Sequence, residues 1–167
     1  ICSQYLLLEP IMQNEVSVAS KTYAEIKIGD TASIKRTLTQ KDIQLFAIVT
    51  GDMNPAHLDE AYAKTDIFHQ IVGHGMWTGS MFSTLLGMQL PGLGTIYLSQ
   101  TLKFLAPVHI GDEITATVKV TAKDDVHMHV TLETLCTNAK GEKILEGVAV
   151  VLPPPQKIEW SIKPLPQ

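Results

Sequence analysis

Residues 76–90 read MWTGSMFSTLLGMQL and decide the fold of this chain. Apolar residues occupy most of the circumference of a helix built from this stretch, which is typical of a helix buried in a protein core. These residues are Met76, Trp77, Met81, Phe82, Leu85, Leu86, Met88 and Leu90. The helix belongs to a longer segment, residues 67–102, that contains no Asp, Glu, Lys or Arg. Polar residues and a Pro-Gly turn interrupt its apolar runs, whereas a membrane-spanning helix needs about 20 mostly apolar residues. We therefore predict a buried core helix and no membrane span.

The sequence after this helix alternates apolar and polar residues, which is the period of β-strands. Four runs have this pattern: 96–104, 114–121, 126–133 and 143–152. Turn-forming residues separate them at hairpin spacing, so we predict a meander of four antiparallel strands. Before the helix, alternation over residues 22–37 predicts two short strands around a turn at Gly29-Asp30. The predicted fold class is therefore α+β, with an antiparallel sheet covering one central helix.

The chain is long enough for one compact domain with short additions at its ends. It has 167 residues, of which 45% are apolar and 18% charged, and this composition excludes an intrinsically disordered protein. We predict the domain over residues 21–152. Residues 1–20 show no sustained periodicity and are interpreted as a peripheral or linker segment. Residues 153–167 are rich in proline and are predicted to form an extended tail or linker.

The charge and the cysteines exclude several classes of partner. A net charge of −4, with scattered Lys and Arg, argues against binding of nucleic acid. Cys2 and Cys136 cannot form a disulfide framework, and neither lies in a metal-ligand spacing. Two reduced thiols favour a cytoplasmic protein, and the first residues lack the pattern of a signal peptide.

Residues 39–62 predict two short helices. Thr39 and Asp42 have the spacing of a capping box, and Gly51 follows an apolar stripe in the position of a helix C-terminal glycine. Asn54-Pro55 has the pattern of an N-cap followed by the first helical residue. We expect this second helix to end near Tyr62.

The tight turn between these helices carries the most informative candidate pair, Asp52 and His57. A carboxylate beside an imidazole can act as a general acid and base that orients and deprotonates a water. The alternative is structural: Asp52 and Asn54 hydrogen-bond within the turn, and His57 lies on the helix surface. Spacing alone leaves both interpretations open.

The sequence His74-Gly75-Met76 opens the predicted core helix. The first N–H groups of a helix lack internal partners and carry partial positive charge. Because Gly75 has no Cβ, a ligand carbonyl could approach its backbone N–H closely. A tight loop that needs glycine for packing explains the same residues. Ser83, two turns later, could contact substrate or bond back to its own helix.

The other chemical signals are weak. His127 and His129 share a predicted strand face, but without a third ligand two solvent-facing histidines are the better interpretation, so we predict no metal site. Gly92-x-Gly94 leads into a strand and is no phosphate loop. The sequence has no nucleophile elbow, Walker motif or dinucleotide fingerprint, which removes the usual support for serine hydrolases, nucleotide hydrolases and Rossmann enzymes.

Several motifs together resemble MaoC-type (R)-specific enoyl-CoA hydratases. They are Asp52-x-Asn-Pro-x-His57-x-Asp59, Ile71-Val-Gly-His-Gly-Met76, Ser83, Leu90-Pro-Gly-x-Gly-x-Ile96-Tyr-Leu, Phe104-x-x-Pro-Val108 and Gly111-Asp-Glu113. The resemblance covers about residues 30–152. It departs from the family at Ile71-Val-Gly73, where members more often have Pro-Ile followed by Ala or Val.

The resemblance implies a hot-dog fold and a homodimer whose sheets join edge to edge. It assigns Asp52 and His57 as the catalytic pair, the Gly75 N–H as the oxyanion donor, and Ser83 to the acyl pocket. Asn54 and Met76 adjoin these groups in the motifs and are expected to contact substrate. The implied reaction adds water to a trans-2-enoyl-CoA and needs no metal or redox cofactor, since coenzyme A is only the substrate carrier.

Other interpretations remain open at this point. The same fold could dehydrate (R)-3-hydroxyacyl carrier-protein thioesters or hydrolyse thioesters, and fold alone does not separate these activities. A non-catalytic acyl-binding or assembly domain is the alternative from another class. The missing initial Met and the proline-rich end favour an origin in a longer fused chain, with an acyltransferase domain as one natural neighbour.

Overall fold

A five-stranded antiparallel sheet forms the larger part of the fold in the computed structural model, which describes residues 15–165. The strands are β1 (Val16–Ala19), β2 (Thr31–Thr37), β3 (Ile96–Phe104), β4 (Glu113–Asp124), β5 (His129–Asn138), β6 (Lys143–Leu152) and β7 (Glu159–Ile162). The helices are α1 (Gln40–Thr50), α2 (Pro55–Leu58), α3 (Glu60–Ala63) and α4 (Gly75–Met88). The large sheet has the order β2-β4-β5-β6-β3.

This order corrects the predicted meander of four strands. Only β4, β5 and β6 follow one another as neighbours, whereas β3 pairs with β6 at the far edge. Residues 105–112, which connect β3 to β4, are too many for a tight hairpin and carry the chain across to the other side of the sheet. Strand alternation predicts the strands themselves but not which of them are neighbours.

Helix α4 packs against one face of this sheet and contacts β2, β3, β4 and β6. The core side of the helix is buried through Trp77, Thr78, Met81, Phe82, Leu85 and Leu86. An antiparallel sheet that wraps around one central helix is the hot-dog arrangement, and the predicted α+β class is confirmed.

The outer face of α4 differs from the expectation of a helix buried nearly all round. Met76 is 52% exposed, and Ser80, Ser83 and Thr84 are exposed as well. These residues lie three or four positions apart on the side that faces away from the sheet, so nothing in the described residues covers them. The helix also ends at Met88 rather than Leu90. The ring of Pro91 disfavours the helical backbone conformation for Leu90, the residue before it.

The local helix signals upstream are confirmed, with one correction. Thr39 and Asp42 form the capping box of α1, and Gly51 ends the helix in the left-handed conformation at φ +76°. Asn54 caps α2, which begins at Pro55. The second helix does not continue to Tyr62, because the Asp59 side chain accepts hydrogen bonds from two backbone N–H groups and starts α3 as a new helix.

Residues 22–28 form turns rather than the predicted strand. The Glu25 carboxylate accepts hydrogen bonds from the backbone N–H and the hydroxyl of Thr22, at 2.8 and 3.0 Å, and this closes a local turn. The alternation still marks one core residue, since Ile26 is buried. Pairing in the large sheet begins only at Thr31.

The two ends of the described chain pair with each other. Strands β1 and β7 form a separate antiparallel ribbon, and Ser20 and Ile158 exchange hydrogen bonds beside it. Within the proline-rich segment, Pro153 and Pro154 are buried. The part of the predicted peripheral segment that covers residues 1–14 lies outside the described residues. Between residues 15 and 165, no helix has the length and apolar character needed to cross a bilayer.

Candidate active site

The turn from Gly51 to Asn54 positions the first candidate, Asp52. Its backbone N–H donates to Thr50 Oγ1 at 3.2 Å, and its carboxylate accepts from the Asn54 N–H at 3.2 Å. Gly51 supplies the left-handed conformation that this tight reversal requires, and its own N–H bonds to Ala47 O at 2.8 Å. The carboxylate of Asp52 remains exposed at the end of the turn.

His57 lies on α2 and is held by a main-chain acceptor. Its Nδ1 is 2.7 Å from Val72 O, and a carbonyl oxygen can only accept, so Nδ1 carries the proton. In the neutral ring this leaves Nε2 with a free lone pair. The orientation expected of a general base, or of a metal ligand, is therefore built into the loop before α4.

That loop, residues 71–74, is fixed from two sides. Val72 N–H donates to Ala56 O at 3.3 Å, and Gly73 N–H donates to Val108 O at 2.7 Å. A Cβ at Gly73 would lie 2.5 Å from the end of the Leu38 side chain, so a larger residue here would require the buried Leu38 to shift. This contact gives a physical reason for the glycine in the motif that departs from the family pattern.

His74 is a member of the site that the sequence analysis did not single out beyond its place at the helix start. It is 3% exposed, its Nε2 donates to the backbone oxygen of Asp52 at 3.1 Å, and its ring centroid is 3.9 Å from that of His57. Its Nδ1 has no hydrogen-bond partner among the described residues. No local signal in the sequence predicts these contacts, because they join residues 17 to 22 positions apart.

One ligand atom each from Asp52, His57 and His74 lies within 4.8 Å of the other two. Of these groups, the Asp52 carboxylate and the His57 imidazole can hold a shared water and transfer protons to and from it. The same three residue types are also ligands that divalent metals such as zinc accept. The group that the structure brings together is therefore chemically competent for acid and base work.

A cavity of about 380 Å³ adjoins this cluster and reaches the start of α4. Its lining includes His57, His74, Gly75, Thr78 and Phe104. Within the described part of the chain, the Gly75 N–H donates no hydrogen bond, as expected for the first residue of a helix. An acceptor in the cavity could therefore approach a free N–H at the positive end of α4.

The remaining predicted site residues lie elsewhere. Asn54 uses its side-chain oxygen to accept from the Ala56 N–H at 3.0 Å, which is the role of a helix cap. Met76 and Ser83 lie on the exposed outer face of α4 and do not line this cavity in the described chain. The cavity is thus lined by His57, His74 and Gly75, whereas Asp52 adjoins the two imidazoles without lining the cavity, and Met76 and Ser83 face outward.

Comparisons with known proteins agree with this geometry. A family model described as a MaoC like domain matches residues 24–140. The chain is 46% identical over 132 residues to an (R)-specific enoyl-CoA hydratase of Rhodospirillum rubrum, a match that covers 79% of this chain and 91% of that protein. It is 42% identical over 126 residues to a protein of the same name from Aeromonas caviae, with 75% and 94% covered.

A solved structure is also similar over nearly the whole chain. An R-hydratase from Pseudomonas aeruginosa, in its unliganded form, superposes with a TM-score of 0.85 at 38% identity, covering 91% of this chain and 97% of that one. The family model spans most of the sequence, and the curated relatives are matched along nearly their full length. The chain belongs to the family of MaoC-like domains.

Proposed function

We propose that this protein is an (R)-specific enoyl-CoA hydratase, which adds water across the double bond of a trans-2-enoyl-CoA to give an (R)-3-hydroxyacyl-CoA. The observation that carries the proposal is the cluster of Asp52, His57 and His74 beside a cavity that is lined by His57 and Gly75. The relatives that bear this enzyme name support it.

The start of α4 supplies the electrophilic half of the reaction. The thioester carbonyl oxygen accepts a hydrogen bond from the Gly75 N–H, and the helix dipole favours the negative charge that develops on that oxygen. Polarisation of the carbonyl makes C3 of the enoyl group electrophilic. A lost oxyanion donor typically costs about 10²–10³ in rate, so this backbone group carries a substantial share of the catalysis.

The acid–imidazole pair supplies the nucleophilic half. With Nδ1 bonded to Val72 O, neutral His57 presents Nε2 to a water that the Asp52 carboxylate also holds. The water oxygen bonds to C3 while His57 takes a proton from it, and the electron pair of the C2=C3 bond moves to give an enolate whose oxygen is held by the Gly75 N–H. As the thioester carbonyl forms again, the protonated His57 gives that proton to C2 and returns to its neutral form. The sum is the addition of one water molecule, with no metal or redox cofactor in the proposal and coenzyme A as the carrier.

The test is the loss of enoyl absorbance from crotonyl-CoA and longer enoyl-CoA esters, with resolution of the product's chirality. We expect (R)-product from the native protein, and a fall in kcat of about 10²–10⁴ in Asp52→Asn and in His57→Gln, with both variants folded. Near-native rates in both variants would refute the assignment.

The same assay distinguishes the rival activities. Turnover of carrier-protein esters without turnover of CoA esters would replace the proposal with a 3-hydroxyacyl carrier-protein dehydratase. Release of free thiol would replace it with a thioesterase. Binding of acyl-CoA without any turnover would identify a non-catalytic acyl-binding domain.

The proposal includes a homodimer formed along β3. This strand is an edge of the large sheet and leaves apolar side chains exposed, including Ile96 at 55% and Leu98 at 44%. The opposite edge, β2, carries Lys35 and Arg36, the kind of charge that discourages pairing. A second copy that pairs with β3 would cover the apolar edge and leave the charged one free.

Light scattering tests this arrangement. We expect twice the chain mass of 18.3 kDa for the native protein. Leu98→Lys, which places a charge on the apolar edge, should shift the protein toward monomer, whereas Ser33→Lys on the β2 edge should leave the dimer intact. An unchanged mass for Leu98→Lys would contradict pairing along β3.

A cytoplasmic location is also proposed, since Cys136 is a free, buried thiol.

A further inference from the structure

His74 touches each of the three parts that the proposed reaction requires. Its imidazole donates to the main chain of the Asp52 turn, its ring packs on His57, and its backbone is the N-cap of α4, directly before Gly75. We propose that His74 is a positioning residue that sets the geometry between the acid–imidazole pair and the oxyanion donor. This inference rests on the proposed hydratase function.

The bond to Asp52 ties the exposed turn to the core. Among residues 15–165, the Asp52 carboxylate accepts a single hydrogen bond, from the Asn54 N–H of the same turn. The bond from His74 Nε2 to Asp52 O, at 3.1 Å, connects the turn to a residue that is nearly completely buried. This bond therefore links the Asp52 turn to the start of α4, in addition to the bond from Asp52 N–H to Thr50 Oγ1 that links the turn to α1.

The ring contact holds His57 on a second side. The edge of the His57 ring is fixed by the bond from Nδ1 to Val72 O, and its face lies against His74 with 3.9 Å between centroids. Phe46 in turn packs on His74, with 5.0 Å between the ring centroids. These tilted ring contacts, which begin at Phe46 in α1, oppose rotation of His57 away from the cavity.

The residue type at this N-cap is itself informative. Ser, Thr, Asp and Asn are preferred at such positions because their side chains accept from the helix N–H groups, yet His74 makes no such bond. Its Nδ1 is instead buried without a partner in the described residues, which is unfavourable. The imidazole here is therefore poorly suited to capping α4 and well suited to the contacts with Asp52 and His57.

Small displacements at a reacting centre have large kinetic effects. A shift of about 1 Å can cost about 10²-fold in rate, even when no reacting group is removed. Loss of the His74 contacts should therefore lower kcat more than it raises the KM for enoyl-CoA, because these contacts orient the reacting groups.

Two amide variants separate positioning from packing. The amide nitrogen of His74→Gln can reach the place of Nε2 and donate to Asp52 O, whereas the shorter His74→Asn cannot. We expect kcat to fall about 10²-fold in His74→Asn, with partial rescue to about tenfold below native in His74→Gln. A third variant, His74→Phe, keeps a ring against His57 but loses the bond. His127→Gln, on the distant β4–β5 turn, is the matched control and should keep native kcat.

The ¹⁵N chemical shifts of His57 give a readout that does not depend on activity. We expect the native ring to be protonated at Nδ1 and the His74→Asn ring to show a mixture of tautomers. The proposal is overturned if His74→Asn matches the native protein in both kcat and the His57 chemical shifts. It is also overturned if His74→Gln and His74→Asn show equal losses of kcat that parallel their losses of thermal stability. If the native protein does not hydrate enoyl-CoA, the proposed function fails, and the His57 shifts alone then decide whether His74 positions the ring.

Discussion

The first turn of α4 and the later turns of the same helix differ in exposure and in role. The first turn exposes the Gly75 N–H to a cavity and follows an N-cap whose side chain leaves the helix uncapped. The later turns bury Phe82, Leu85 and Leu86 against the sheet, with almost no exposed surface. One helix therefore has a polar end with unpaired groups and an apolar body with close packing.

This difference shows how the fold can tolerate an unfavourable site. Unpaired polar groups cost free energy, whereas buried apolar side chains contribute about 1.5–3 kcal/mol each. Anchoring the body of α4 holds its first turn in place without any bond that would occupy the Gly75 N–H. We expect substitutions in the body to change stability and substitutions in the first turn to change activity.

The largest effect is expected from Phe82→Ala in the body of the helix. Removing a fully buried Phe leaves a cavity between α4 and the sheet and should lower the free energy of unfolding by about 3–5 kcal/mol. Urea denaturation at fixed protein concentration measures this change. The kcat per folded molecule should stay near native, and a selective loss of kcat would break the division between the two parts of the helix.

The next effect is expected from Gly75→Ala in the first turn. The added Cβ would lie 3.0 Å from the Phe104 ring, so either the ring or the first turn must shift. We expect kcat to fall about tenfold with little change in thermal stability.

Gly87→Ala is the control at the far end of the same helix. Its Cβ would meet no atom within 4 Å, so we expect a gain of about 0.5–1 kcal/mol in stability from helix propensity. The kcat should stay at its native value. Equal losses of kcat in both glycine variants would contradict a special role for the first turn.

The smallest effect concerns the thiol that β5 places under the helix. Cys136 Sγ lies 3.7 Å from Thr78 O, and burial raises the pKa of this thiol to about 12. In a Cys2→Ser background at pH 8, we expect alkylation to be about 10³-fold slower than for a free cysteine, because only the thiolate reacts. The unfolded chain in denaturant provides the reference rate, and equal rates in both states would show that the body of the helix opens readily.

The raised pKa of the Cys136 thiol also predicts that the free energy of unfolding depends on pH. The unfolded thiol ionises near its ordinary pKa of about 8.5, whereas the folded thiol keeps its proton to about pH 12. Between these values the folded state binds more protons, so the free energy of unfolding should fall as pH rises. Cys136→Ala should remove this contribution.

The sequence predicts the local features of the site well because short-range rules govern them. The capping box at Thr39, the glycine at Gly51 and the cap at Asn54 are each decided within a few residues. The central helix is likewise marked by its own composition. These features place Asp52 in the turn before α2, His57 on α2 and Gly75 at the start of α4.

Contacts between distant segments are the part that the sequence does not predict. The placement of β3 beside β6, and the ribbon between β1 and β7, depend on pairings across most of the chain. The three contacts of His74 are of the same kind. The strand predicted over residues 22–28 is wrong for another reason. The hydrogen bonds from Thr22 to Glu25 close a local turn, although the sequence alternates as a strand does.

The acceptor that orients His57 is the oxygen of a peptide group, not a side chain. Replacing Val72 by another residue leaves that oxygen in place as long as the path of the main chain is preserved. Homologous proteins could therefore differ freely at this position and still direct the imidazole in the same way. An alignment of side chains would miss the interaction, and only a change in the length or course of the loop would remove it.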